Sequence, residues 1–176
     1  MTIVGIDPGK AGAIAVIQER KSTEVPYVKL YDLPLIGKDF NEDAIADILR
    51  SYVLLEPHVF IESVHAMPKQ GSVSMFNFGK GFGILRGITA ALQMRRDFPT
   101  PQAWKKELMQ GIKEKDESRA RAIQLFPHVH KELVLKKHIG RSDALLIAEY
   151  GRRLLSRGGN SGNIIGRKTK ASKSAA

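Results

Sequence analysis

The chain has 176 residues, of which 43% are hydrophobic and 26% charged, with a formal net charge of +10 and no cysteine. This length and balance predict one soluble domain with a single core, and they exclude disulfide bonds and thiolate metal sites. No apolar run is long enough to span a membrane, and a strand-like sequence begins almost at Met1. We therefore expect no signal or transit peptide and a cytoplasmic location.

The excess of basic residues favours a polyanionic partner, and nucleic acid is the usual one. Five Lys and Arg residues and no acid lie in residues 157–176, where Gly, Ser, Asn and Lys dominate. We therefore predict a folded domain over 1–156 and a flexible basic tail over 157–176. The tail either contacts phosphates or only adds solubility.

Taken in chain order, the elements begin with strands. Apolar, β-branched runs predict strands over 2–7, 12–19, 25–34 and, later, 58–64. Helical spacing and capping signals predict helices over 41–53, 75–96, from Pro101 to 108, over 118–127, and around Asp143. A loop is expected over 65–74. Three strands, a helix, a strand and then helices indicate a mixed α/β sheet with an antiparallel edge and a parallel fourth strand.

Three carboxylates occupy the ends of predicted elements. Asp7 ends the first strand, Glu62 ends the fourth, and Asp143 stands near the start of the last helix. If the first and fourth strands are neighbours, these groups meet at one edge of the sheet. There they would repel one another unless cations bound, and such oxygen ligands suit Mg²⁺ or Mn²⁺. Two such ions can promote phosphodiester hydrolysis, although Asp7 could merely form a turn and Asp143 could merely cap its helix.

The segments IVGIDPG, VFIES and GRSDALLIAEYGRR resemble, in order and spacing, the RuvC-type Holliday junction resolvases of the RNase H-like nuclease superfamily. The resemblance covers most of residues 2–155, and the MPKQG and FNFGKGFG segments are most similar to members of phage or prophage origin. It implies an RNase H-like α/β fold, with a five-stranded mixed sheet flanked by helices, and a homodimer. Each subunit would cut one strand of a four-way DNA junction, with Asp7, Glu62 and Asp143 as metal ligands.

The resembled family supplies a fourth ligand, acidic or histidine, shortly before the position of Asp143. In this chain Gly140 stands three residues before Asp143, and no acid lies between Glu132 and Asp143. His138 is the candidate substitute, either as a metal ligand or beside the attacking water. A solvent-facing histidine among lysines is the simpler alternative. An imidazole ligand would make Mn²⁺ better tolerated than Mg²⁺ alone.

The stretch after Glu62 offers candidate DNA contacts. Phe76 and Phe78 could stack on an unpaired base or wedge a step, with Lys69 and Lys80 close by. In the resembled family an aromatic in this region contacts bases at the crossover. We expect at least one of the two phenylalanines to pack in the core instead.

Glycines at positions 79, 81, 83 and 87 fall on a predicted helix, where each costs about 1 kcal/mol relative to alanine. The close approach of a backbone or a partner helix would account for that cost. In the resembled family the corresponding helix lies at the dimer interface. The alternative is a locally irregular start of the helix.

The resemblance also implies a lysine near the scissile phosphate, and Lys105 matches its position. It would stabilise developing negative charge. Lys106 is the adjacent alternative, and Lys113 or Lys115 matches a second basic position. Arg119 and Arg121 fall at the start of a helix, where they could contact phosphates. The last four could equally form a solvated charged face.

Together these residues predict symmetric, metal-dependent nicking of four-way junctions. A broader nuclease for branched DNA or RNA–DNA hybrids would share the fold. A non-catalytic nucleic-acid binder is a further alternative, which the joint presence of the three carboxylates disfavours. The DPGKAG turn superficially suggests a phosphotransferase such as a sugar kinase, but the chain is too short for the two lobes of those enzymes.

Overall fold

The computed structural model describes residues 1–20, 24–63, 71–110 and 117–158. In these ranges the strands are β1 Thr2–Ile6, β2 Ala13–Gln18, β3 Tyr27–Asp32, β4 Leu35–Ile36, β5 Asp39–Phe40, β6 His58–Ile61 and β7 Arg95–Asp97. The α-helices are α1 Glu42–Arg50, α2 Ser72–Ala91, α3 Pro101–Leu108, α4 Glu117–Leu125 and α5 Ile139–Ser156. Short 3-10 helices cover Val53–Leu55, Pro127–Glu132 and Lys136–His138.

The main sheet has five strands in the order β3-β2-β1-β6-β7. Strands β1, β2 and β3 form an antiparallel meander, whereas β6 pairs in parallel with β1 on one side and with β7 on the other. This confirms the predicted mixed sheet with an antiparallel edge and a parallel fourth strand. Strands β4 and β5 form a separate small hairpin before α1.

Alternation along the strands gives the sheet two buried faces. On one face, residues such as Ile3, Ile17 and Phe60 pack against α3, α4 and α5. On the other face, a second cluster joins the sheet to α1 and α2. Helix α5 crosses closest at Gly5, where an added Cβ would lie 2.2 Å from the carbonyl oxygen of Ala144. Glycine at this position therefore lets α5 lie directly on β1.

The predicted helix over 75–96 was wrong at both ends. Helix α2 begins at Ser72 and ends at Ala91, and Arg95–Asp97 form the edge strand β7. Gln93 adopts a positive φ of 54°, which ends the helix and redirects the chain into the sheet. Helical periodicity in the sequence does not reveal such a left-handed residue.

The remaining predicted boundaries are closer to the structure. Helix α3 begins at Pro101, as expected, with the Thr100 hydroxyl accepting from the Ala103 N–H at 3.2 Å. Helix α5 ends at Ser156, where the domain boundary was predicted. The basic tail lies almost wholly outside the described residues, as does most of the predicted 65–74 loop. None of the described helices combines the length and apolarity needed to cross a membrane.

Candidate active site

Asp7 and Glu62 leave the sheet side by side. Ile6 and Ile61 are register partners in the parallel β1–β6 pair, and the Glu62 N–H donates to the Ile6 carbonyl at 3.0 Å. Because register partners in parallel strands point to the same side, the residues that follow also share a face. That face is the one covered by α5, so both carboxylates emerge under this helix.

Asp143 lies inside α5 rather than at its start. The helix begins at Ile139, and its N-cap residue, His138, makes no side-chain capping hydrogen bond. Helix capping by Asp143, one of the two explanations open from the sequence, was therefore wrong. The carboxylate accepts a hydrogen bond from buried Ser118, while its Oδ1 is buried and has no hydrogen-bond partner.

The three carboxylates and Lys105 form one electrostatic group. Burial raises the pKa of Asp7 most, the Gly9 N–H lowers it, nearby Asp143 and Glu62 raise it further and Lys105 lowers it, with a net change from 3.8 to about 7. Burial also raises the pKa of Glu62. The hydrogen bond from Trp104 lowers this pKa, the charge of Asp143 raises it, and the charge of Lys105 lowers it. The pKa of Asp143 is raised overall, because the effect of burial exceeds the lowering by the Ser118 hydrogen bond and the Lys105 charge. The structure thus brings together four of the predicted site residues.

Each carboxylate has one hydrogen-bond donor from a different part of the fold. The Gly9 N–H donates to Asp7 Oδ1 at 3.0 Å, within the turn after β1. The Trp104 indole Nε1 donates to Glu62 Oε1 at 2.8 Å, and Ser118 serves Asp143. Sequence reasoning assigned no role to Trp104 or Ser118. The available signal was a tryptophan directly before the lysine expected at the phosphate.

The donor set fits a hard divalent cation. All three groups supply oxygen, which Mg²⁺ and Mn²⁺ prefer, and Asp143 Oδ1 is a buried acceptor without a donor. Within residues 1–20, 24–63, 71–110 and 117–158, no three His, Cys, Asp or Glu side chains already stand in an arrangement that could hold an ion.

His138 lies among other charges. It is only 7% exposed, and its pKa is lowered first by burial and then by Arg141 and Lys137, against the effect of Asp32. Arg141 in turn donates two hydrogen bonds to the Asp32 carboxylate, from Nε to Oδ1 at 2.6 Å and from Nη2 to Oδ2 at 2.7 Å. The charges that shift the pKa of His138 do not include the three carboxylates. This burial contradicts the solvent-facing alternative, and the metal-ligand role of His138 stays a prediction.

The position three residues before Asp143 has no space for a side chain. A Cβ on Gly140 would lie 2.0 Å from the carbonyl oxygen of Ala11 and 2.9 Å from the Cα of Gly12. The β1–β2 turn therefore rests directly on the first turn of α5. A fourth ligand at this position is excluded by backbone contact and not merely missing from the sequence.

The predicted DNA contacts on α2 are exposed. Phe76 is 70% exposed and Phe78 36%, so the expectation that at least one of them packs in the core was wrong. Phe82, farther along the helix, is partly buried instead and meets Phe98 edge-on at 5.6 Å. Lys80 forms an exposed ion pair with Asp39 at 2.7 Å.

The structure separates the remaining basic candidates. Lys105 and Lys106 are both exposed, and it is Lys105 whose charge acts on the three carboxylates. Arg119 donates to the Val134 carbonyl at 2.7 Å, which ties α4 to the segment before α5. Lys69, Lys113 and Lys115 lie outside the described residues.

The sheet order, the flanking helices and the carboxylates at the ends of β1 and β6 define an RNase H-like architecture. Among solved structures, RuvC of Thermus thermophilus and the same protein in complex with a Holliday junction substrate have this fold. Each matches with a TM-score of 0.59 and 17% identity, over 90% of this chain and 97% of theirs. No protein-family model and no curated protein matches the chain.

The raised pKa of Asp7 predicts that Asp7→Asn stabilises the metal-free protein at pH 8. Because its folded pKa of about 7 exceeds the ordinary 3.8, the folded state holds the proton more tightly, and stability is fully present below pH 3.8 and is lost as pH rises from there to about 7. Asparagine removes the charge and keeps an oxygen for the Gly9 N–H. In EDTA, thermal unfolding should show a midpoint a few degrees above wild type at pH 8, a smaller gain at pH 5 and little difference at pH 3. Exposed Asp47→Asn is the control and should give no such gain; an unchanged or lower midpoint for Asp7→Asn at pH 8 would contradict the expectation.

The contact at Gly140 predicts that Gly140→Asp destabilises the fold instead of adding a ligand. Overpacking against backbone costs about 3 kcal/mol, which lowers the unfolding midpoint by roughly 10 °C at this size. Gly140→Ala should lose nearly as much, since the Cβ is responsible. Gly71→Ala, where nothing lies within 4 Å of the added Cβ, is the matched control. A Gly140→Asp protein with wild-type stability and tighter Mn²⁺ binding would refute this interpretation.

Proposed function

We propose that this chain is a metal-dependent endonuclease that resolves four-way DNA junctions by paired symmetric nicks, working as a homodimer. The observation that carries the proposal is the grouping of Asp7, Glu62, Asp143 and Lys105 at one end of adjacent parallel strands. The net charge of +10 supports a nucleic-acid substrate. One solved structure with a similar fold is a RuvC bound to a Holliday junction substrate.

In this proposal Asp7, Glu62 and Asp143 hold the divalent ions, Mg²⁺ or Mn²⁺, in a two-ion site. The ions would supply an activated water and stabilisation of the leaving oxygen. The residues of the chain have separate tasks. The Asp7 carboxyl must lose its proton before it can bind a cation, and the exposed ammonium of Lys105 would neutralise charge developing on the phosphate.

The junction would contact exposed residues around this site. Phe76, with 70% of its surface exposed at the start of α2, is the best placed to stack on a base, and Phe78 would assist it. Lys80 and Lys106 would meet phosphates, with Lys80 exchanging Asp39 for DNA. Arg119 already serves a backbone carbonyl, so its contact with DNA has the weakest support. Roles for Lys69, Lys113, Lys115 and the basic tail stay predictions, as does a phage origin.

The surface of α2 supports the homodimer. Gly81 packs inside the chain, since its Cβ would lie 2.8 Å from the Phe40 ring. Gly79, Gly83 and Gly87 have nothing within 4 Å, and their spacing of four places them on one face of the helix. Packing within the described part of the chain thus explains one glycine of four, whereas a closely approaching partner helix would explain the other three.

The dimer proposal predicts that Gly83→Leu yields a monomer. A leucine would hold two helices apart at the centre of the glycine face, while the fold of each chain would be unaffected. Sedimentation velocity should show wild-type dimers and variant monomers with similar circular dichroism. The control is Leu54→Ala, at an exposed site 95% open to solvent on another surface, which should stay dimeric. A monomeric wild type would contradict the proposal.

The nuclease proposal predicts metal-dependent cleavage that selects junctions. With Mg²⁺ or Mn²⁺, wild type should introduce paired symmetric nicks in synthetic four-way junctions and leave linear duplex intact. Asp7→Asn should bind the junction with similar affinity and cleave at least 100-fold more slowly, because a ligand is lost and the basic surface is kept. Gel assays on junction, flap, duplex and RNA–DNA hybrid substrates would measure both properties.

Other outcomes of that assay identify the alternatives. Preferred cleavage of hybrids or flaps would replace the resolvase with a broader nuclease of the same fold. Junction binding without cleavage in either metal would indicate a non-catalytic binder.

A further inference from the structure

We propose that Trp104 is the positioning residue of this site, with its indole N–H holding Glu62 and its ring holding Lys105. The inference rests on the proposed function, because it assigns the residue that orients a metal ligand and the phosphate-binding lysine. Trp104 is 1% exposed and lies in the core beneath the site. It therefore acts through Glu62 and Lys105 and not by touching DNA.

The hydrogen bond from Trp104 to Glu62 has a defined direction. The indole Nε1 donates to Glu62 Oε1 at 2.8 Å. Since an indole N–H only donates, it cannot compete with the carboxylate for a cation, and it favours the ionised form of Glu62. The bond occupies one lone pair of Oε1 and leaves both lone pairs of Oε2 free. One rotamer of Glu62 is thereby selected before an ion arrives.

The face of the same indole accounts for the position of Lys105. The Lys105 Nζ lies 5.2 Å from the centroid of the Trp104 ring, within cation–π distance. Lys105 is also the cation that lowers the pKa of all three carboxylates. The edge of one side chain thus orients an acidic group, and its face orients the neighbouring basic group.

Backbone contacts make Trp104 a firm support. The Ser63 N–H, next to Glu62, donates to the Pro99 carbonyl at 2.8 Å, which ties the end of β6 to the segment before α3. Thr100 caps α3 through the Ala103 N–H, which fixes the end of the helix that carries Trp104. The indole is therefore fixed relative to Glu62 from both sequence directions. Ligand-supporting contacts of this kind typically change metal affinity 10- to 100-fold.

Trp104 also provides the readout, because the chain contains one tryptophan. Mn²⁺ is paramagnetic and quenches fluorescence at short range. Titration of wild type with Mn²⁺ should produce saturable quenching, and Mg²⁺ should compete it away. Glu62→Gln should lose the saturable component, since the ion would no longer bind beside the indole. This measurement uses neither DNA nor cleavage.

The central test compares Trp104→Phe with Leu108→Val. Phenylalanine keeps an aromatic ring in the core and removes the N–H, so the dissociation constant for Mn²⁺, from electron paramagnetic resonance of free Mn²⁺, should rise about 10-fold or more. The Mn²⁺ concentration for half-maximal junction cleavage should rise in parallel, and saturating Mn²⁺ should restore much of the rate. Leu108→Val alters packing on the same helix, so it should lower the unfolding midpoint and leave the Mn²⁺ affinity unchanged.

Several results would overturn the inference. A wild-type Mn²⁺ affinity in folded Trp104→Phe would refute it, as would equal losses of affinity in Trp104→Phe and Leu108→Val. If Trp104→Phe does not fold, the fluorescence comparison decides: saturable quenching that depends on Glu62 supports the inference, and its absence refutes it.

The proposed nuclease function and the positioning role of Trp104 can fail independently. A wild type that cleaves no branched DNA, while Trp104→Phe still loses Mn²⁺ affinity, would remove the nuclease and keep the positioning role. A wild type that cleaves junctions, with a Trp104→Phe variant unchanged in Mn²⁺ affinity and metal requirement, would keep the nuclease and remove the positioning role.

Discussion

The parallel pairing of β1 with β6 is the constraint on which the site depends. With Ile6 opposite Ile61, the next residue of each strand must leave the sheet on the same side. Because Gly5 lacks a side chain, α5 can lie on that side against β1 and bring Asp143 to the same place. One strand register and one close helix contact therefore assemble three carboxylates from distant parts of the chain.

That assembly has an electrostatic cost within the fold. Burial and the charges of Asp143 and Glu62 raise the pKa of Asp7 to about 7. Burial and the charge of Asp143 raise the pKa of Glu62, and burial raises that of Asp143. Compact sheet packing on both faces supplies the stability that tolerates this cost. Strongly perturbed groups of this kind concentrate at functional sites, since the same repulsion that destabilises the empty site favours a bound cation.

The sequence was sufficient for features that follow from strand patterns. Apolar runs ending at Asp7 and Glu62 predicted the sheet and the meeting of these two residues. The place of Asp143 near the start of the last helix suggested the third carboxylate, and the resemblance added Lys105. The sequence was insufficient where tertiary contacts decide the local structure. The left-handed Gln93 that creates β7, the burial of His138 beside Arg141, and the exposure of Phe76 leave no local pattern.

The β1–β2 turn explains why this site has three acidic groups and no neighbour for Asp143 on its own helix. The turn needs Gly12, whose Cβ would lie 2.1 Å from the Asp7 carbonyl oxygen, and it presses Ala11 against Gly140. The same turn directs the Gly9 N–H to Asp7. The space in which a fourth acidic group would stand is thus occupied by the turn that orients Asp7. Because each carboxylate has its donor on a different element, the turn after β1, α3 or the start of α4, ion affinity in this site should depend on how firmly those elements hold their ligands and less on the number of acids.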